Sequence, residues 1–258
     1  MNSIKSAFKN GKAFIAFITA GDPTLETTEA LILAMEQAGA DLIEIGIPFS
    51  DPVAEGEAIQ GADRRALAAG ATTDKIFDMI GHLKEKVRIP LVFMTYINPV
   101  YTYGVSRFMQ KCITCGITGI IIPDLPFEEK EEVLPACTEH GITLISMIAP
   151  TSHERISKIA AQAEGFVYCV SSLGVTGVRS EITTNIGEMI ALVKKATDTP
   201  CAIGFGISTP EQAAEMSKSA DGVIVGSAIV KLIAQYGTES VKPVSDYIKS
   251  MKQAISKK

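Results

Sequence analysis

Eight short apolar runs recur along the chain, each followed by a polar segment with helical periodicity. They occupy residues 13–19, 42–47, 91–95, 119–122, 143–148, 166–170, 201–204 and 222–225. Their length, β-branched content and Gly or Pro borders predict strands buried on both faces, the pattern of a parallel sheet. The segments between them carry helix signals. Leu31, Met35 and Ala38 share one helical face ahead of Gly39, which predicts a stop there. Thr151 and Glu154 have capping-box spacing, and Thr209, Pro210 and Gln212 supply an N-cap, an N1 proline and a box partner. Residues 106–115, 128–139 and 240–255 are helical in composition. Eight strand runs alternating with helices is the arithmetic of a (β/α)8 TIM barrel. A doubly wound open sheet is the rival, but Gly21-Asp22-Pro23 follows the first run where that fold would place G-x-G-x-x-G. No linker or composition break divides the chain, so residues 1–258 read as one TIM-barrel catalytic domain.

Composition removes several classes of function. With 47% hydrophobic residues and a net charge of only −5, disorder is excluded. No clustered Lys and Arg mark a nucleic-acid surface. No apolar run approaches the roughly 18 residues of a membrane span. Residues 14–18 follow a basic N-terminus, but Gly21-Asp22-Pro23 replaces a cleavage site, so a strand is expected rather than a signal peptide. Five cysteines, an odd count in a long chain, fit a reducing cytoplasm better than a disulfide framework. Cys112-Ile113-Thr114-Cys115 is a lone C-x-x-C without a second pair or nearby His, so helix packing is expected and no metal. His82, His140 and His153 sit in polar, helix-like settings, which leaves His-centred nucleophilic catalysis poorly supplied.

In a barrel, function sits on the loops beyond the C-terminal strand ends. Three loops carry chemistry. In the first, residues 44–56, Glu44 lies within the second run between Ile43 and Ile45. An acid facing the barrel mouth would be desolvated and suited to proton transfer; alternation alone leaves open whether it faces outward to the helices instead. Glu55 lies on the loop that follows, either as a solvated carboxylate or as a second working acid. In the second, residues 170–177, Gly174 and Gly177 bracket small residues, the composition of a lid or of an ordinary loop. The third is the pair of exits Gly204-Phe205-Gly206-Ile207 and Gly226-Ser227-Ala228-Ile229. Glycines there let backbone amides approach a phosphate, and a helix N-terminus adds favourable charge; tight turns are the alternative.

With these segments in order along essentially all 258 residues, the chain resembles the tryptophan synthase α chain family. The resemblance is carried by residues 44–56, by Phe17-Ile18-Thr19-Ala20-Gly21-Asp22-Pro23, by Pro123-Asp124-Leu125-Pro126, by Gly174-Val175-Thr176-Gly177 and by the two glycine exits, the second extending to Lys231. It implies retro-aldol cleavage of indole-3-glycerol phosphate to indole and glyceraldehyde 3-phosphate, a carbon–carbon lyase step of tryptophan biosynthesis. By the same resemblance, Glu44 moves a proton at the indole C3 and the glycerol hydroxyl, and Glu55 accepts from the indole N–H. Phe17, Tyr96 and Tyr168 match positions around the indole. Gly177, Gly206, Gly226 and Ser227 match the phosphate cradle, and Thr176 matches a lid residue. A pyridoxal phosphate-dependent β chain is implied as partner in an α2β2 heterotetramer, with Pro48, Asp51, Asn98 and Pro126 facing it. The cofactor belongs to that partner, and none is expected in this chain.

The chain departs from the family pattern at three places. Glu55 stands where Asp is common, Glu57 where Pro is common, and Ser172 where Arg is frequent. The longer Glu55 requires its carboxylate to fold back or its loop to retreat, because a misplacement of about 1 Å can cost on the order of a hundredfold in rate. Two other functions are therefore carried forward: a ligand-binding barrel that only regulates a partner, and another phosphate-binding barrel enzyme. A Schiff-base aldolase is disfavoured because none of the eight runs contains Lys.

Overall fold

The computed structural model describes residues 3–150, 153–170, 186–204 and 206–256. The strands are β1 (Ala13–Thr19), β2 (Leu42–Gly46), β3 (Leu91–Met94), β4 (Gly119–Ile121), β5 (Thr143–Leu144), β6 (Ser146–Ile148), β7 (Val167–Val170), β8 (Cys201–Gly204) and β9 (Gly222–Val225). Their order is β5-β4-β3-β2-β1-β9-β8-β7-β6, and every adjacent pair is parallel. The eight expected runs become nine strands because the fifth run divides at Ile145. Its first half bonds to β4, with Ile145 N–H donating to Ile120 O at 2.9 Å, and its second half pairs with β7. Barrel strands tilt, so a short strand meets its two neighbours at different heights. β5 and β6 are consecutive in the chain, so the ring is nearly closed through the backbone itself.

Strand alternation sorts the core into two shells. Phe14, Ile43, Ile45, Phe93 and Val223 face outward into the layer shared with the helices, where Leu31, Ile32, Met35, Ile80 and Phe108 meet them. Ile15, Leu42, Val92, Phe166, Ala202 and Ile224 face inward and fill the barrel. The 3-10 turn Ile4–Phe8 closes the N-terminal end, with the Phe8 ring tilted against that of Phe166 at 5.8 Å.

Local signals explain most helix ends. The helix Leu25–Gln37 buries Leu31 and Met35, and Gly39 follows at φ +103°. Only glycine adopts that left-handed turn without strain. Thr209 and Gln212 form the expected capping box at the helix Pro210–Ser217. Thr151 lies outside the described residues. The helix expected over 128–139 is instead a 3-10 turn, Phe127–Glu132, and a helix, Leu134–His140. Pro135 is the reason: it lacks an N–H and is tolerated only in a first turn. Cys112 and Cys115 pack in the core face of the helix Val105–Cys115, and all five cysteines are free and buried. His82 and His153 are exposed and His140 is half-buried. Among the described residues no group of His, Cys, Asp and Glu has metal-holding geometry, and no helix is long and apolar enough to cross a membrane.

Candidate active site

Glu44 follows Leu42 by two positions on β2, so it points into the barrel, level with Phe17 on one side and Val92 on the other. That settles the orientation that alternation alone left open. The side chain is fully buried, and neither carboxyl oxygen has a hydrogen-bond partner among the described residues. Burial without compensation disfavours the charged form, and it pushes the Glu44 carboxyl up to about 8. The neighbouring Tyr168 hydroxyl is held well above its ordinary range by its own burial and then by the Glu44 charge.

Glu55 lies on the loop between β2 and the helix Glu57–Ala68. Several contacts hold this loop. The Ala54 N–H donates to the Tyr96 hydroxyl at 3.1 Å, and Gln60 Nε2 donates to the Glu55 carbonyl at 2.8 Å. The Phe49 ring lies 5.5 Å from Tyr96. The Glu55 carboxyl is pushed up to about 8, first by burial and then by the charge and hydrogen bonding of Asp63; Tyr96 acts in the opposite direction. The extra methylene is thus accommodated by a carboxyl turned against Tyr96 and Asp63 while still lining the cavity. Glu57 is exposed at the first position of its helix, after Gly56. A carboxylate there complements the positive helix end, so the charge has a structural role in place of proline.

Among the described residues, a cavity opens at the C-terminal end of the barrel. Phe17, Met94, Tyr96, Met147, Tyr168 and Ile224 line its apolar part, with Glu55 at its edge. Gly206, Ser208, Gly226 and Ser227 line the other end. Gly226 precedes the helix Ser227–Tyr236, whose first amides have no acceptor within the helix and face this end of the cavity. Gly206 has φ +79°, which favours glycine. Glycine also makes room for the aromatic walls. A Cβ on Gly46 would lie 2.7 Å from Phe17 Cζ, and one on Gly204 would lie 2.6 Å from the Tyr168 hydroxyl. Thr176, Gly177 and the segment expected as a lid lie outside the described residues.

The residues expected to face a partner lie at the same end. Pro48 is buried, whereas Asp51 and Pro126 are exposed on the loops after β2 and β4, and Asn98 is exposed in the helix Ile97–Tyr103 after β3. Val53, 73% exposed, adds an apolar side chain to the first of these loops.

Asp63 escaped the sequence reading. It is buried, accepts from the Phe49 N–H at 3.4 Å, and is pushed up to about 6, chiefly by burial. Its signal was present: Ile59, Ala62, Asp63 and Ala66 have the i, i+3, i+4, i+7 spacing of one buried helix face. Arg65, two residues further along the helix, grips buried Asp22 through two hydrogen bonds of 2.7 Å.

A sequence profile of the tryptophan synthase alpha chain family matches residues 4–256. A tryptophan synthase alpha chain of Lactiplantibacillus plantarum is 50% identical over 99% of this chain and 97% of its own. The tryptophan synthase subunit alpha of Legionella pneumophila superposes with a TM-score of 0.88 at 34% identity, over 99% of this chain and 98% of that one. A chain of the tryptophan synthase α2β2 complex of Pyrococcus furiosus gives 0.86 at 34%, over 95% and 99%.

Proposed function

Since this chain belongs to the tryptophan synthase alpha chain family, whose members are lyases of tryptophan biosynthesis, we propose that Glu44 and Glu55 carry out its retro-aldol cleavage of indole-3-glycerol phosphate. The observation that carries this assignment is one cavity with an apolar aromatic wall, a buried acid beside the Phe17 and Tyr168 of that wall, a second acid at its edge and a glycine-lined helix start opposite.

The bond to be broken joins the indole C3 to the hydroxyl-bearing carbon of the side chain. Its electrons can leave with the ring only after C3 gains a proton. Glu44 is protonated at neutral pH, so it begins as the acid and delivers that proton. Positive charge then spreads to the ring nitrogen, where Glu55, in the fraction of chains that carry it ionised, accepts the N–H and stabilises it. Glu44, now ionised in an apolar enclosure, takes the glycerol hydroxyl proton. The C–C bond breaks, the electrons return to the ring, and indole and glyceraldehyde 3-phosphate result. Glu44 ends as it began, so the cycle is balanced in protons. Phe17, Tyr96 and Tyr168 would flank the ring, and the Gly206, Gly226 and Ser227 amides would hold the phosphate without a positive side chain, consistent with the net charge of −5. Thr176 and Gly177, outside the described residues, are proposed as substrate contacts on the family likeness alone.

A β chain is the proposed partner, as in the α2β2 complex of Pyrococcus furiosus. Asp51, Asn98, Pro126 and exposed Val53 surround the cavity mouth, where a neutral apolar product would leave; Pro48 shapes the same loop from within. Pyridoxal phosphate would belong to that partner, since the cleavage needs only acids and amides from this chain.

The test is to incubate purified chain with indole-3-glycerol phosphate, with and without a β chain, and to follow indole. Release that is lost in Glu44→Gln is expected; no indole under either condition overturns the assignment.

A further inference from the structure

Asp63 does not line the cavity; it lies behind Glu55, on the buried face of the helix Glu57–Ala68. Two carboxyls packed against one another in a half-buried site cannot both ionise freely. Their surroundings offer little relief. Tyr96 and the Phe49 N–H face the pair from β3's exit and the β2 loop, and Thr19 and Asp22 face Asp63 from the end of β1. The nearby cation, Arg65, is committed to Asp22. One Glu55 oxygen is buried with no hydrogen-bond partner among the described residues.

We propose that Asp63 is a positioning residue for Glu55: the two carboxyls share one proton, and Asp63 sets the pH at which Glu55 becomes an acceptor for the indole N–H. This rests on the role assigned to Glu55 above. Both carboxyls lose protons at higher pH than usual, as a shared proton requires. No bond is made or broken at Asp63, and the pair gains no proton over a turnover. The arrangement answers the longer side chain: Asp63 gives the Glu55 carboxyl a fixed neighbour and so one pose against the cavity.

The test is Asp63→Asn, which keeps the size and an acceptor for the Phe49 N–H but removes the negative charge. Two measurements are made on the full chain. The first follows the Glu55 side-chain carboxyl by 13C NMR against pH, assigned with Glu55→Gln; it needs no substrate. The Glu55 titration should move to lower pH by about one unit or more in the variant. The second is kcat/KM for indole release across pH. The variant-to-parent ratio should be about fivefold or more higher at pH 6 than at pH 8. A purely structural role for Asp63 would lower activity by the same factor at every pH and leave the Glu55 titration in place; that result overturns the proposal. If the parent chain releases no indole while the NMR titration moves, the shared proton stands and the catalytic assignment fails. Asp63→Ser gives the same comparison if the Asn variant does not fold.

Discussion

Replacing Glu44 by Gln separates the proton from the packing, because the amide has nearly the shape of the protonated acid and cannot ionise. Glu44 ordinarily loses its proton at 4.5 and here at about 8. Between those values the folded chain keeps a proton that the unfolded chain has released, so stability falls as pH rises through this window. The penalty works out to roughly 1 kcal/mol at pH 5 and about 3 kcal/mol at pH 7, levelling off above about pH 8. Glu44 is fully buried, so solvent screening does not reduce it. The Gln variant escapes the penalty, whatever constant cost its buried amide adds. Thermal unfolding followed by circular dichroism, from pH 5 to pH 8, reads the difference. Since about 1 kcal/mol moves the Tm of a chain this size by roughly 2–4 °C, Tm of the variant relative to the parent should climb by about 5–10 °C between pH 5 and pH 7. A difference that stays flat across this range refutes the buried, uncompensated acid. The variant should meanwhile lose indole release by on the order of a hundredfold or more.

In the parent chain, kcat/KM for indole release should peak near pH 8, falling above it because the C3 donor Glu44 is then ionised and below it because Glu55 is then protonated. Glu55→Gln, assayed at neutral pH, should lose about a hundredfold or more in kcat with its melting transition intact. Gly204→Ala should destabilise the fold by about 1–3 kcal/mol in denaturant titration, and pairing it with Tyr168→Leu should recover most of that loss. Arg65→Ala leaves buried Asp22 without its guanidinium and should cost about 1.5–3 kcal/mol by the same measurement. Val53→Glu should weaken β-chain binding in calorimetry while leaving the isolated chain's melting temperature unchanged.

The barrel was legible because its evidence is local. Eight runs of buried-strand composition and a few caps are each decided within a handful of residues, and Gly39 and Thr209 behave as their neighbours dictate. The division of the fifth run at Ile145 was not legible, since it follows from the offset between two neighbours distant in sequence. The direction of Glu44 needed the ring as well: only when Leu42 and Ile15 are known to face inward does its parity follow. The resemblance to a known family carried the site assignments that spacing could not. It also directed attention to the positions that family shares, and Asp63 is not among the residues that carry the likeness. Helical spacing was enough to place Asp63 on a buried face, although the sequence reading passed it over; its meeting with Glu55 depends on a loop that returns over the helix.

The two glycine notches constrain how such a pocket can change over generations. Tyr168 and Phe17 each fill space that a neighbouring strand's glycine leaves empty. The wall residue can shrink first and the glycine grow afterwards without a clash, whereas in the reverse order a methyl group at 204 meets the tyrosine while it is still in place. The pocket's shape is therefore cheaper to change in one order than in the other. A lineage that has filled Gly204 carries that cost whenever a tyrosine returns.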